Sequence, residues 1–340
     1  MKEWVGGLRA GRTIANLPRQ IPMPQGTDSI NLPKLSTLTQ VAPQQADGAP
    51  VASRDITSTS VQANVKTLAG QEDVSLQLLE QSPGDLMDGV IMEDLMADYN
   101  RLVGRQVAYG SGANTSSLNA GQILGLYGGG ATPNWAGTSN IATTATITGV
   151  GFLPIVGAMW SNIANQRFDV ENVHGVFNPR RLAWWMTSLD GASGTVGRPV
   201  VGAETYGPYN VQGLLEGGAA AEGLVASSMG GRVGLYAEPN IPGGVTTSGG
   251  DTAIGDNGSG VPLAGQTHDA GVMAKWDDVW LFESDLRTRV LYEVLSGVLM
   301  ARFQVYSYVA MLVRYGQSLA IAYGTSFAAP QSAFDSGVTF

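Results

Sequence analysis

Residues 28–68 read DSINLPKLSTLTQVAPQQADGAPVASRDITSTSVQANVKTL. Ile30 and Leu32 alternate with polar residues, and the alternation continues through KLSTLTQV, VASRDITSTSV and QANVKTL. Side chains of an extended strand point to opposite faces in turn, so a period of two reads as β-structure. The interruption APQQADGAP, residues 42–50, is made of turn formers. The two halves predict a long two-stranded hairpin. Thr, Val and Ser dominate it, and the large apolar residues of a core are few. A lone hairpin is marginal in water at best. The segment supplies little to lie beneath it, so another chain is expected to cover it.

Working outward, the period changes downstream. Val74, Leu78 and Leu79 mark a short helix. Ser82 offers an N-cap, Pro83 suits the first helical position, and Asp85 is the acid of a capping box. Met87, Ile91, Leu95 and Leu102 follow at helical spacing with Val90 and Tyr99 beside them, while Asp88, Glu93, Asp94 and Asp98 fall mostly on the other face. A helix from Pro83 to about Tyr109 is expected, roughly 40 Å long at about 1.5 Å per residue. Upstream, Lys2, Arg9, Arg12 and Arg19 outweigh Glu3, and Pro18, Pro22 and Pro24 interrupt any regular element. Such a segment builds no core. Residues 1–26 therefore read as an arm, either a disordered terminus or a strap lying on a neighbouring subunit, with acidic neighbours a better partner than DNA.

The remaining chain is mixed. GSGANTSSLNAGQILG, residues 110–125, is a loop, and FLPIVGAMWSNIANQ, residues 152–166, a helix. NVHGVFNP carries a strand ending at Asn178, which caps a helix opened by Pro179. Residues 191–275 mix short strands with glycine loops, the richest being 243–260. From Val279 to Tyr323 strand alternation returns. Phe303, Val305, Val309, Met311 and Val313 share one face, with Arg302, Gln304, Tyr306, Tyr308 and Arg314 on the other.

Composition limits the chemistry. Among 340 residues, Lys and Arg number 19 against 28 Asp and Glu, for a net charge of −9. Charged residues are 14% of the chain, well under the usual share of about 25%. With no cysteine, disulfides, thiolate metal sites and thiol catalysis are excluded. The two histidines, His174 and His268, make a multi-histidine metal site within one chain an unpromising idea. An acidic balance argues against binding by phosphate contacts, though not against enclosing nucleic acid. Val290 to Val313 is the most apolar long stretch, yet Glu293 and Arg302 interrupt it, so no membrane span and no membrane partner are expected. The reading is a soluble protein made in a cytoplasm.

Several segments, in order, resemble the major capsid protein of tailed bacteriophages, the Hong Kong 97 family. They are LQLLEQSPGDLMDGVIMEDL, GSG…NAGQILG, VFNPRRLAWWMTSLDGASGTVGRPVV, GRVGLYAEPNIP, WDDVWLFESDLRTRVLYEV and LVRYGQSLAIAYGTSFAAP. The resemblance spans about residues 15–330. It implies an α+β fold with an N-terminal arm (1–26) and an extended hairpin loop (27–69). A peripheral domain of long spine helix and antiparallel strands (70–149, 276–316), an axial α/β domain (150–275, 317–328) and a tail (329–340) follow. It implies a structural protein without cofactor, metal or catalytic residue. Such a chain assembles in the host bacterial cytoplasm into pentamers and hexamers of an icosahedral phage head, the virion shell, around double-stranded DNA held without sequence-specific contacts. The expected partners are further copies, a scaffold protein, a portal and a decoration protein. Arg9, Arg12, Arg19, Lys34, Arg54, Lys66, Arg287 and Arg289 are the expected intersubunit contacts.

Some family members carry a scaffolding segment ahead of the arm. Here Met1 directly precedes it, so a separate scaffold is expected. Some also join subunits through a Lys–Asn isopeptide bond. Lys34 and Lys66 stand in the hairpin segment, but no Asn follows Asn257, and no such crosslink is expected. An encapsulin-type compartment shell is the alternative within the fold. The alternative of another class is a subtilisin-like protease, from GTSFAAP with Ser326 as nucleophile. That chemistry needs a histidine base and an orienting acid, and His174-Gly175 lacks the rest of the motif. The other candidates read structurally: His174 as a sheet histidine, His268 and the pair Asp251 and Asp256 as loop residues, Asp277-Asp278 as a strand opening, and Trp184-Trp185 as helix packing.

Overall fold

The structure, a computed structural model, describes residues 11–44, 46–48, 50–81, 87–110, 112, 121–127, 135–142, 149–166, 171–187, 233–241 and 271–323. The alternation near the end of the chain sets its architecture. In β11 (Met300–Val313), Ala301, Phe303, Val305, Ser307 and Val309 are buried while the residues between them are partly open. Beyond Val309 both faces are buried. This strand is paired on both edges. β4 (Lys66–Ser75) runs antiparallel along residues 300–309, and β10 (Arg287–Leu295) and β9 (Val279–Glu283) take the opposite edge in turn. Val74, expected in a helix, stands in β4 opposite Ala301: ten ladder pairs to β11 override the local helical spacing. The short helix α2 (Leu76–Gln81) begins only after that strand.

The long helix α3 (Met87–Tyr109) lies over one face of this sheet. Its 23 residues make it about 35 Å long at about 1.5 Å per residue. The expected cap at Ser82, Pro83 and Asp85 lies outside the described residues. Ile91, Met92 and Leu95 pack on Val74, Ala301 and Phe303, and Tyr99, Val103 and Val107 join the core built around Leu281, Val309 and Met311. The spacing of apolar residues along α3 is thus the print of the sheet beneath it.

A second five-stranded sheet has the order β5 (Ser139–Ala142), β12 (Leu319–Tyr323), β8 (Gly271–Lys275), β6 (Val173–Phe177), β7 (Gly234–Ala237). Helix α4 (Gly149–Gln166) brings Phe152, Val156, Met159 and Ile163 against it, and Trp185 of α5 (Pro179–Thr187) completes that core. A side chain at Gly271 would overlap the Phe177 ring, which explains glycine there. The chain passes between the sheets at Trp276–Asp278 and Gly316–Ser318. The two crossings are tied together: Ser318 Oγ donates to Asp278 Oδ2 at 2.5 Å, and the Arg314 N–H donates to the Asp278 carbonyl at 2.8 Å.

The predicted hairpin is present as β2 (Ser29–Thr37) and β3 (Thr57–Asn64), paired from Ser29–Asn64 to Thr37–Thr57. It differs in one respect from its expected isolation. Ile30, Leu32, Val61 and Ala63 at its root pack on Phe282, Ala310 and Leu312 of the chain's own sheet. Lys66 belongs to β4 rather than to the hairpin.

Phe303 is fully buried at the α3–β11 contact. Replacing it with alanine leaves a cavity there, and Phe303→Ala is expected to cost about 3–5 kcal/mol in denaturant unfolding of unassembled subunits.

Candidate assembly surfaces

The arm is the first surface that the sequence misplaced. From Gly11 onward it docks on its own chain. A single helical turn, α1 (Thr13–Asn16), buries Ile14 and Ala15 against α3, and β1 (Arg19–Pro22) pairs in parallel with β9. Prolines 18, 22 and 24 shorten these elements without preventing them, because a parallel edge strand can do without some donors. The fit depends on small residues. A Cβ at Gly104 of α3 would lie 2.8 Å from Asn240 Nδ2 and 3.4 Å from the Arg12 Cα.

Two carboxylates hold this root. Glu238, which follows β7 and is fully buried, accepts from the Ile14 N–H at 2.6 Å, from the Asn240 N–H at 2.9 Å and from Asn240 Nδ2 at 2.8 Å. Asn240 Nδ2 also donates to the Gly11 carbonyl at 2.6 Å. Burial pushes the Glu238 carboxyl above its ordinary value, against the pull of those N–H groups. Glu283, at the end of β9, accepts from Arg12 Nη1 at 3.0 Å, from Arg12 Nη2 at 2.8 Å and from the Tyr99 hydroxyl at 2.7 Å. Burial raises it too, but the bonds from Arg12 and Tyr99 and the Arg12 charge outweigh burial and hold it below its ordinary value. Arg12, expected at a subunit contact, therefore has its guanidinium engaged within the chain.

The other expected contacts are scattered. Arg9 lies outside the described residues. Arg19 sits 5.6 Å from the Trp280 ring centroid, and Lys34 5.1 Å from that of Tyr315. Arg54 is exposed in the hairpin tip, and Lys66 opens β4 opposite Val309. Arg287 and Arg289, exposed on β10, lie over Tyr306 at 5.9 and 5.1 Å. What the sequence reading passed over is the tip itself. Val41 is 97% exposed, Val51 75% and Leu38 62%, with Leu35 and Ile56 also open. The signal was present as apolar residues beside a turn, where among the described residues no strand continues.

The described candidate residues take structural places. His174 Nδ1 accepts from the Gly234 N–H at 3.0 Å and its ring meets Tyr236 edge-on, a sheet-bound histidine. Asp278 is buried at the sheet crossing, and Trp185 is buried against Phe152. Ser326, His268, Asp251, Asp256 and Asn257 lie outside the described residues, as does the Trp184 side chain. Among the described residues no cluster of His, Asp or Glu is arranged to hold a metal ion, and no helix is long and apolar enough to cross a membrane.

The two carboxylates oppose each other in pH. Glu283, held low, contributes stability above its ordinary value of 4.5 and loses it as pH falls through its folded value. Glu238, held high, contributes most below that value and loses its contribution as pH rises through its folded value. Glu283→Gln is expected to cost about 1–3 kcal/mol at neutral pH. In unfolding titrations of unassembled subunits, the gap to the unaltered chain should be full above pH 4.5 and close as pH drops below it.

Residues 2–195 match the model of the phage capsid family. No curated protein matches the sequence. Solved structures that the fold resembles include one from Mycobacterium phage Ogopogo, with a TM-score of 0.62 at 10% identity, covering 96% of this chain and 97% of that one. One from Gordonia phage Cozz gives 0.58 at 13% identity over 96% and 90%. The capsid of a native GTA particle gives 0.59 at 13% identity over 95% and 93%. At such identities the likeness speaks for the fold, which is the Hong Kong 97-like capsid fold with its α+β layers. The sequence match over more than half the chain decides the family and favours a phage shell over a compartment for protein cargo. The chain belongs to the phage capsid family, as a structural protein of the virion shell.

Proposed function

We propose that this chain is the major building block of an icosahedral phage head. It forms pentamers and hexamers around double-stranded DNA and is assembled in the host cytoplasm with a scaffold protein and a portal as partners, and with a decoration protein where the head carries one. The observation that carries the reading is the hairpin, whose root is held by its own chain and whose tip is not. Root residues Ile30 and Leu32 pack on Phe282 and Leu312, whereas Val41 and Val51 stand almost bare. Burying a valine-sized side chain is worth about 1.5–3 kcal/mol, so a neighbour that covers the tip gains from every copy.

The division into arm, hairpin, peripheral and axial domains is part of the same proposal. The first sheet with α3 makes a rigid plate, the second sheet with α4 and α5 a second body, and the hairpin projects from the first. Arg9, Arg19, Lys34, Arg54, Lys66, Arg287 and Arg289 are proposed to meet acidic surfaces of neighbours, which an acidic chain supplies in number. Arg12 acts one step removed, by fixing the arm root from residue 11 onward on the chain's own body. An acidic shell would enclose DNA without adhering to it. No catalytic role is assigned to any residue.

Electron microscopy of the purified chain, with and without a scaffold, is expected to show closed shells or their five- and six-membered rings. Val41→Ser with Val51→Ser should leave the subunit folded by circular dichroism and abolish rings and shells. Assembly undiminished in that variant, or a chain that stays monomeric under every assembly condition, would count against the reading.

A further inference from the structure

The strand that ends the first sheet is open along one side. β10 pairs with β11 through residues 287–291 and 295, and among the described residues no strand takes its other edge. Arg287, Thr288, Arg289, Val290, Tyr292 and Glu293 are exposed along it, Val290 by 37% and Tyr292 by 52%. The usual devices that blunt an edge are missing from this strand, which holds no Pro, Gly or Lys. Its pairing with β11 bulges between Leu291 and Leu295, which leaves Tyr292 and Glu293 without a register partner and open to an outer strand. The other long edge of the sheet, β4, carries Gly70 and Glu72 and exposes no large apolar side chain.

The sequence of β10, RTRVLYEVL, is complementary to itself. Two copies paired antiparallel about a two-fold axis normal to the sheet keep like faces together, so the axis falls on a residue. An axis on Thr288 or Arg289 sets arginine against arginine, which is destabilising. An axis on Val290 leaves Tyr292 against Thr288 and the strand ends overhanging. On Leu291, the middle of the nine residues, the whole strand is paired. Arg289 then faces Glu293 of the second copy, and Val290 faces Tyr292 on the opposite side of the sheet, each pair occurring twice. The second is a β-branched and aromatic pair that covers both exposed apolar side chains. Arg289 stacks 5.1 Å from the Tyr306 ring centroid, a posture that leaves the in-plane N–H groups of its guanidinium to a carboxylate. We infer that β10 of one subunit pairs with β10 of a second copy about an axis at Leu291, joining their two sheets into one. Such a contact uses the same surface on both partners and closes after two copies, so it cannot run round a ring of five or six. It joins one ring to the next. That placement rests on the shell reading above, whereas the strand pair rests on β10 itself.

The chain has no cysteine, so a single introduced one links copies only where a residue meets itself. Leu291→Cys is oxidised under assembly conditions and run on denaturing gels without reductant, beside Thr288→Cys. The expected result is a covalent dimer from Leu291→Cys and monomer from Thr288→Cys, which lies off the axis. Adding Arg289→Glu or Glu293→Arg to the Leu291→Cys chain sets like charges opposite each other and should lower the dimer yield by about tenfold or more. The two reversals together exchange the charges and should restore it. Circular dichroism confirms that these variants fold. No dimer through Leu291, equal linkage through Thr288, or a yield that the double reversal fails to restore overturns the strand pair. Shells seen by microscopy in the same sample then leave the shell reading standing. An unaltered chain that forms neither rings nor shells overturns the shell reading, and the Leu291→Cys dimer still decides the strand pair.

Discussion

A strand paired on both edges cannot shift register without breaking two ladders at once, and β11 is such a strand. β4 on one side and β10 with β9 on the other fix its position over fourteen residues. Every projecting limb leaves from one of those neighbours. The hairpin joins β4 through Val65, whose N–H donates to the Asp28 carbonyl at 3.0 Å and closes the root. The arm is paired to β9, and α2 follows β4 with the Leu76 N–H on the Leu299 carbonyl at 2.9 Å. A shell needs contacts whose geometry repeats from copy to copy. Limbs rooted on one doubly locked strand inherit its rigidity at their bases and keep freedom only at their tips.

That arrangement explains which parts were legible in the sequence. Alternation in residues 300–309, 29–37 and 57–64 reports faces of sheets, most clearly from Phe303 and Val305 inside to Gln304 and Tyr306 outside, whereas the alternation expected through 38–41 and 51–56 forms no strand. The spacing of Met87, Ile91, Leu95 and Leu102 reports the plate under α3 in the same way. Pro179 opens α5 where the sequence predicts, because its fixed φ suits the first helical position, while Asn178 Nδ2 donates to the Ile241 carbonyl at 2.5 Å. Arm residues 11–22 were illegible for the opposite reason. Their order comes from Glu238, Asn240 and Glu283, more than two hundred residues away, and no local pattern announces a partner at that distance. Val74 was misread because its helical spacing to Leu78 spans the end of a strand and the beginning of a helix.

The arm root shows how a short, proline-broken segment gains a fixed place without a core of its own. Ile14, Ala15 and Pro18 are buried there, and Leu17, Ile21 and Met23 pack against the cores, which offsets part of the backbone entropy of a dozen ordered residues. The balance comes from charge placement. Glu238 offers acceptors to backbone N–H groups that would otherwise be buried without partners, and the Arg12 fork closes on Glu283 with both oxygens used. Because burial raises one carboxyl and the Arg12 and Tyr99 bonds lower the other, Glu238 makes stability depend on pH above 4.5 and Glu283 below it.

The same economy of apolar residues governs the rest of the surface. Leu38, Val41, Val51 and Ile56 gather at the end of the hairpin, and Val298 and Leu299, 63% and 68% exposed, stand open just before β11. Scattered exposure would invite adhesion at many angles, and a long apolar edge strand would invite open-ended pairing. A tip at the end of a two-stranded lever confines the attraction to one point whose direction is set at the root. Threonine and serine along the lever, with Thr57 Oγ1 donating to Thr37 Oγ1 at 2.7 Å, keep the strands paired without making their faces adhesive. A lattice that must curve and close has to choose one angle among many. In the proposed assembly that choice falls to exposed side chains at the end of a strand pair whose root packs on Phe282, Ala310 and Leu312.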